Sequence, residues 1–160
     1  GLLPYGKILS PSEEMPTLTY NCINRHISRV VRTRMVSATS PWANDPTILE
    51  AKTHLVPISH GEGRIIISDE LAKDLFANGQ VYTQYVTEEG VPVMSEPDNP
   101  NGSMFAIEGI TSLDGRILGK MGHSERTIGA LANGKSDSLL KNISGDNCQN
   151  LFAAGVRYFN

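Results

Sequence analysis

Gly122-His123-Ser124-Glu125-Arg126 carries the residue types of a proton-transfer pair. A carboxylate that accepts a hydrogen bond from one ring nitrogen of a histidine fixes its tautomer and frees the other nitrogen as a base. His123 and Glu125 are two apart, so in an extended segment both side chains leave on the same side. His-x-Glu also arises by chance, and a solvated surface pair is the alternative. The second cluster is His60-Gly61-Glu62-Gly63-Arg64. Its glycines permit close backbone approach, so His60, Glu62 and Arg64 could surround a small ligand, or an internal ion pair could close a tight turn. Asn99-Pro100-Asn101-Gly102-Ser103 is a rigid turn carrying amides and a hydroxyl, and by itself it reads only as a loop. Asn21, Arg25, Ser28 and Arg29 read as polar residues at a strand edge.

A nucleophile to match His123 is harder to find. Cys22 lies in an expected strand. Cys148 lies in the first turn of an expected helix, where a thiol pKa can fall. Neither sits on a Gly-x-Cys-x-Gly turn, the strained elbow that would project a sulfur. A zinc site wants three protein ligands, and His26 and His54 add no recognised spacing, so no metal is expected.

The elements that must hold these residues follow from pattern. Strands are expected at Thr17 to Ile23, Arg29 to Ser37, His54 to Ser59, Gln80 to Thr87, Phe105 to Ser112 and Arg116 to Lys120. The last two flank Asp114-Gly115, a two-residue hairpin signal. One helix should follow the cap at Ser68-Asp69 and stop at Gly79. Another should start near Asp146 or Asn147 and pack through Leu151, Phe152, Gly155, Val156 and Phe159. Ser40 to Pro46 and Ser95 to Ser103 read as loops. The mix is α/β or α+β.

The bulk properties narrow the function classes. The chain has 160 residues, 39% hydrophobic and 19% charged, which fits one globular domain. The net charge is −3, and Arg25 to Arg34 alternates with apolar residues as a strand with one wet face does, so nucleic-acid binding is not expected. No apolar run reaches the roughly 20 residues of a membrane span. Two cysteines make no disulfide framework, and a reducing cytoplasm is expected.

The motifs become specific in their order. Asn21-x-x-x-Arg25-x-x-Ser28-Arg29, Ser40-Pro41-Trp42, His60-Gly61-Glu62-Gly63-Arg64, Asn99-Pro100-Asn101-Gly102-Ser103, Asp114-Gly115-Arg116 and Met121-Gly122-His123-Ser124-Glu125-Arg126 follow one another along nearly the whole chain. This series resembles the class I glutamine amidotransferase domain of phosphoribosylformylglycinamidine synthases. The resemblance implies a doubly wound, flavodoxin-like α/β fold. It implies hydrolysis of glutamine through a cysteine thioester, with ammonia passing to a separate ATP-dependent site for purine synthesis. His123 would activate the cysteine and Glu125 would orient His123. His60, Glu62, Arg64, Asn99, Asn101 and Ser103 would support the glutamine pocket or an interface. Many members have Pro where Gly122 and Ser124 stand, and Phe where His26 stands.

In the family the nucleophile elbow precedes a segment like Gly1-Leu2-Leu3-Pro4. The resemblance therefore implies that residues 1–160 are the C-terminal portion of one amidotransferase domain, inactive alone. The implied partners are glutamine, the N-terminal half of the domain and the synthetase domain. No cofactor is expected in this chain, because ATP and magnesium belong to that synthetase domain. Exposed strand edges would favour a homo-oligomer or docking of the N-terminal half. The alternative is a non-catalytic interaction module built on the same fold.

Overall fold

The computed structural model describes residues 2–126 and 150–160. Its elements are β1 (Thr17–Tyr20), β2 (Ile27–Met35), α1 (Pro46–Glu50), β3 (His54–His60), β4 (Glu62–Ile66), α2 (Asp69–Ala77), β5 (Val81–Tyr85), β6 (Ile107–Thr111), β7 (Leu118–Lys120) and α3 (Leu151–Phe159). The expected mixture of strands and helices is present. Five strands form a sheet in the order β3-β2-β5-β6-β7, and β1 pairs with β4 separately. Every pair among the described strands is antiparallel. The parallel strands of a doubly wound sheet are not among the described residues.

The sheet curls on itself. Beyond β7 the chain reaches β3, the opposite edge, where Gly122 bridges Ile58 and the His123 N–H donates to Pro57 O at 2.8 Å. Two edges that would otherwise present unpaired backbone groups thus meet each other here. Ile27, Val31, Val56, Ile58 and Tyr85 pack together in this part of the sheet, with Met121 against them. α2 packs Ala72 and Leu75 against Val81 and Ile107 of the sheet. α3 packs Leu151 and Ala154 against Tyr82 and Ile48, with Trp42 alongside.

Local signals account for several boundaries. Ser68 caps α2 by accepting from the Leu71 N–H at 3.2 Å, and Gly79 follows the helix at φ +68°. The β6–β7 hairpin forms where Asp114-Gly115 predicts it. Its loop is longer than two residues, because Ser112 N–H still pairs with Ile117 O at 2.9 Å.

Other expectations need correction. β1 ends at Tyr20, and Cys22 lies in a turn, because the Asn21 N–H turns to Gly61 O at 3.0 Å. β4 begins within the stretch that could be read as a tight turn, and α1 starts at Pro46, the last residue of the expected loop. α3 begins at Leu151, capped by the Asn150 side chain, which accepts from Ala153 N–H at 3.2 Å. Residues 146–149, including Cys148, lie outside the described residues. The packing face of α3 is Leu151, Ala154 and Gly155, whereas Phe152, Val156 and Phe159 are exposed. The helix is apolar on both sides, so period alone could not choose. Gly155 decides it, since a Cβ there would lie 2.9 Å from Trp42 Cζ3. Only the small-residue face can approach that ring.

Candidate active site

His123 owes its place to the β6–β7 hairpin and the seam. Register pairs Gly109 with Lys120 and Thr111 with Leu118, which carries the chain out of β7 beside β3. After His123 the backbone curls, residues 124–126 being helical, with Arg126 N–H donating to His123 O at 3.1 Å. The segment is therefore not extended. The curl nevertheless brings Glu125 back to the ring, and Nδ1 of His123 lies 2.7 Å from Glu125 Oε1. That is the length of a charge-assisted hydrogen bond. Burial pushes the Glu125 carboxyl up, but the hydrogen bond from His123, a backbone bond and the charges of His123 and Arg126 together hold it below its ordinary value.

Both side chains are reachable, at 32% exposure for His123 and 55% for Glu125. They open on a cleft of about 380 Å³ walled by Trp42, Lys120, Leu151 and Phe152. That size suits a small polar metabolite. A second, more apolar cavity of about 350 Å³ lies among Leu3, Leu18, Ile65 and Ile110 and is lined by no histidine. Glu108 and Lys120 line it, and Lys120 lines both spaces.

His60 ends β3, the strand on which the His123 loop docks. Asn21 Nδ2 donates to Arg25 O at 2.9 Å and to His60 O at 2.8 Å, so Asn21 Oδ1 is left to accept from His60 Nδ1 at 3.0 Å. His60 thus carries its proton on Nδ1. Its Nε2 is buried with no hydrogen-bond partner among the described residues. Burial, then the charges of His26 and His123, lower the His60 pKa below 6.5. The first two clusters therefore meet electrostatically at one end of β3.

The remaining motif residues serve another place. Glu62 is exposed on β4 opposite Tyr20. Arg64 Nε donates to Gly102 O at 3.2 Å. Asn99, Asn101 and Ser103 are fully buried. Asn99 Nδ2 donates to Ser103 O at 2.8 Å; Asn101 Nδ2 donates to Gly63 O at 2.7 Å and Tyr85 Oη at 2.9 Å. Ser103 Oγ accepts from Ile65 N–H at 3.1 Å. These bonds staple β4 and β5 to the turn. None of them reaches His123 or Glu125.

Sequence reasoning passed over Glu108. It is fully buried on β6, and its Oε1 accepts from the Gly122 N–H at 2.5 Å. A proline at that position would have no N–H to give. Lys120 Nζ lies 3.6 Å from the same oxygen. The available signal was a carboxylate inside an apolar strand, with a lysine placed across the hairpin to meet it.

Among the described residues, no group of three His, Cys, Asp or Glu could hold a metal, and no helix is long and apolar enough to cross a membrane.

Comparison with known proteins adds the family. The model of the CobB/CobQ-like glutamine amidotransferase domain matches residues 1–159. Phosphoribosylformylglycinamidine synthase subunit PurQ of Salinibacter ruber is 32% identical over 133 residues, 80% of this chain and 55% of the relative. The same subunit of Treponema denticola is 34% identical over 147 residues, 89% and 52% respectively. The chain spans about half the length of the curated relatives it matches. In solved form, PurLQS from Thermotoga maritima matches at TM-score 0.62 and 21% identity, over 91% of this chain and 54% of that one. This likeness shows a shared α/β fold.

Proposed function

The chain belongs to the CobB/CobQ-like glutamine amidotransferase domain family, and we propose that it contributes the base and the orienting carboxylate of a glutaminase site in a phosphoribosylformylglycinamidine synthase. The observation that carries this reading is the His123 Nδ1–Glu125 Oε1 bond of 2.7 Å beside an open cleft. Glu125 accepts a hydrogen bond from Nδ1–H, which leaves the Nε2 lone pair as the base.

His123 takes the proton of a cysteine thiol while the sulfur attacks the side-chain carbonyl carbon of glutamine. The proton passes to the departing nitrogen, ammonia leaves and a thioester remains. His123 next deprotonates water, which attacks the thioester; glutamate departs and the sulfur regains its proton. The cysteine in this reading comes from outside the 160 residues. Cys22 sits past β1 with Sγ 3.7 Å from Pro100 O and packs against Gly102, a loop role. Residues 1–160 are then a portion of one amidotransferase domain. Its ammonia serves a synthetase partner that binds ATP and magnesium and converts formylglycinamide ribonucleotide to formylglycinamidine ribonucleotide. His60 to Arg64 and Asn99 to Ser103 do not line the cleft; they brace β3, β4 and the turn of residues 99–103.

Glutamine hydrolysis is measured for this chain alone and together with a separately made segment that supplies the cysteine elbow. The expected result is activity only in the mixture, abolished by His123→Ala. Activity of the chain alone would place the nucleophile within it. An associated, folded but silent mixture would favour a non-catalytic interaction module.

A further inference from the structure

We propose that the buried Glu108–Lys120 pair is a positioning device for His123, holding both of its sequence neighbours at once. The proposal rests on the reading of His123 as the base. On one side, Glu108 Oε1 accepts the Gly122 N–H at 2.5 Å. On the other, Lys120 Nζ donates to Ser124 Oγ at 3.2 Å. Lys120 and Glu108 are tied to each other at 3.6 Å, and Glu108 Oε2 accepts from Thr83 Oγ1 of β5. The frame around His123 is thus anchored in three adjacent strands of the sheet.

The loop needs such an anchor. A Cβ at Gly122 would lie 2.6 Å from Val56 Cγ2, so glycine is the residue that fits the seam without a shift. Glycine is also the residue with the most backbone freedom to lose. The bridge to Ile58 is a single isolated one, and His123 itself has one backbone bond to β3. Ladder bonding is therefore too sparse to define the ring position, and the carboxylate and ammonium complete it.

Stability is a poor reason for the pair. Its side chains are 0% and 7% exposed, and removing such charges from water costs as much as their attraction returns. Burial accordingly pulls the Lys120 pKa down against the raising effect of Glu108. An apolar pair of similar volume would hold the hairpin as well. What it could not do is direct hydrogen bonds at residues 122 and 124.

The test uses the glutamine-hydrolysing enzyme with its cysteine-bearing portion present. Glu108→Leu combined with Lys120→Met removes both tethers without leaving a lone buried charge. Ser124→Ala removes one, and Ser124→Thr restores a hydroxyl. The double variant should keep a cooperative thermal transition while kcat falls by about tenfold or more, since ~1 Å of misplacement can cost about 100-fold. KM for glutamine should stay within about twofold, the split expected when only the transition state is affected. Ser124→Ala should lose kcat several-fold and Ser124→Thr should recover it. A folded double variant with wild-type kcat overturns the proposal. If the double variant does not fold, Ser124→Ala decides, and an unchanged kcat overturns it. Hydrolysis that survives His123→Ala, or that is absent from the wild type, removes the base reading and this proposal with it. Loss with His123→Ala alone leaves the base standing and removes only the positioning role.

Discussion

Replacing Gly122 with alanine should destabilise the chain by roughly 3 kcal/mol, although the backbone at that position is open to any residue. Gly122 does not sit at positive φ, so the penalty is one of space. The added methyl would lie 2.6 and 2.7 Å from the two Val56 methyls and 2.8 Å from Glu108 Oε1. Val56 is 1% exposed and cannot swing away. Forcing one carbon into such a site costs about 1–3 kcal/mol. The partial outward shift of the loop that limits this clash also weakens a hydrogen bond to a carboxylate, worth about 1.5–3 kcal/mol. About 1.5 kcal/mol of residual clash and about 1.5 kcal/mol of weakened hydrogen bond give the figure above. For a chain of this size it lowers the melting temperature by about 6–12 °C. Circular dichroism melts and urea titrations measure it. Val56→Ala in the same chain should return part of the loss, with a coupling of about 1 kcal/mol. A loss below about 1 kcal/mol for Gly122→Ala, or strict additivity with Val56→Ala, would refute the packed seam.

Three further outcomes follow from the same geometry. His60 titrates below 6.5 when folded, so above about pH 6.5 it is neutral in both states and takes nothing from stability. As pH falls through that value the unfolded chain binds the proton first, and stability declines until the folded pKa is passed; His60→Gln should flatten this slope in urea midpoints between about pH 8 and about pH 5. Asn101→Ala should cost about 1–3 kcal/mol in urea unfolding, because it takes the Asn101 partner from the buried Tyr85 hydroxyl and leaves the Gly63 carbonyl and Ser103 N–H one bond each, from Ser103 Oγ and to Asn99 Oδ1; a change under ~0.5 kcal/mol would remove the staple role. On α3, Phe159→Ser should move stability by less than about 0.5 kcal/mol while Ala154→Leu costs about 1–3, and the reverse ranking would show the wrong face packed.

The legible parts of this molecule were those with a local cause. The cap at Ser68, the helix after it and the hairpin at Asp114-Gly115 depend on residues a few positions apart, and sequence suffices for them. The pair His123 and Glu125 could be named as candidates for the same reason, although their contact is made through a helical turn and not an extended segment. β4 was hidden because Gly61 and Gly63 read as turn formers. In the fold Gly61 is the pivot at which the chain leaves one sheet for the other, and Gly63 lets the His60 ring lie close, since a Cβ there would fall 2.3 Å from His60 Cε1. The α3 face was hidden because its selector, Trp42, lies more than a hundred residues away. Asn99, Asn101 and Ser103 read in sequence only as a loop carrying amides and a hydroxyl. Only the distant carbonyls of β4 reveal what they bind.

Glu108 shows how far such an argument reaches. A carboxylate in an apolar strand breaks the local rule, and broken rules concentrate where structure is made to serve a site. Its meaning depends on where the sheet closes. A continuous ladder at that seam would define the backbone of residues 121–123 through regular hydrogen bonds and leave no need for a charge. Pro57 lies on the edge strand at this point and has no N–H to offer, so β3 presents chiefly a carbonyl, which the His123 N–H takes. The Gly122 N–H must find its acceptor elsewhere, and the nearest sheet position able to supply one is a side chain on β6. An uncharged acceptor would satisfy that bond, but it would not hold Lys120 against Ser124 on the far side of His123. On the proposed reading the ion pair answers two requirements together: a seam whose β3 edge gives the Gly122 N–H no backbone acceptor, and a histidine to be held from both sides.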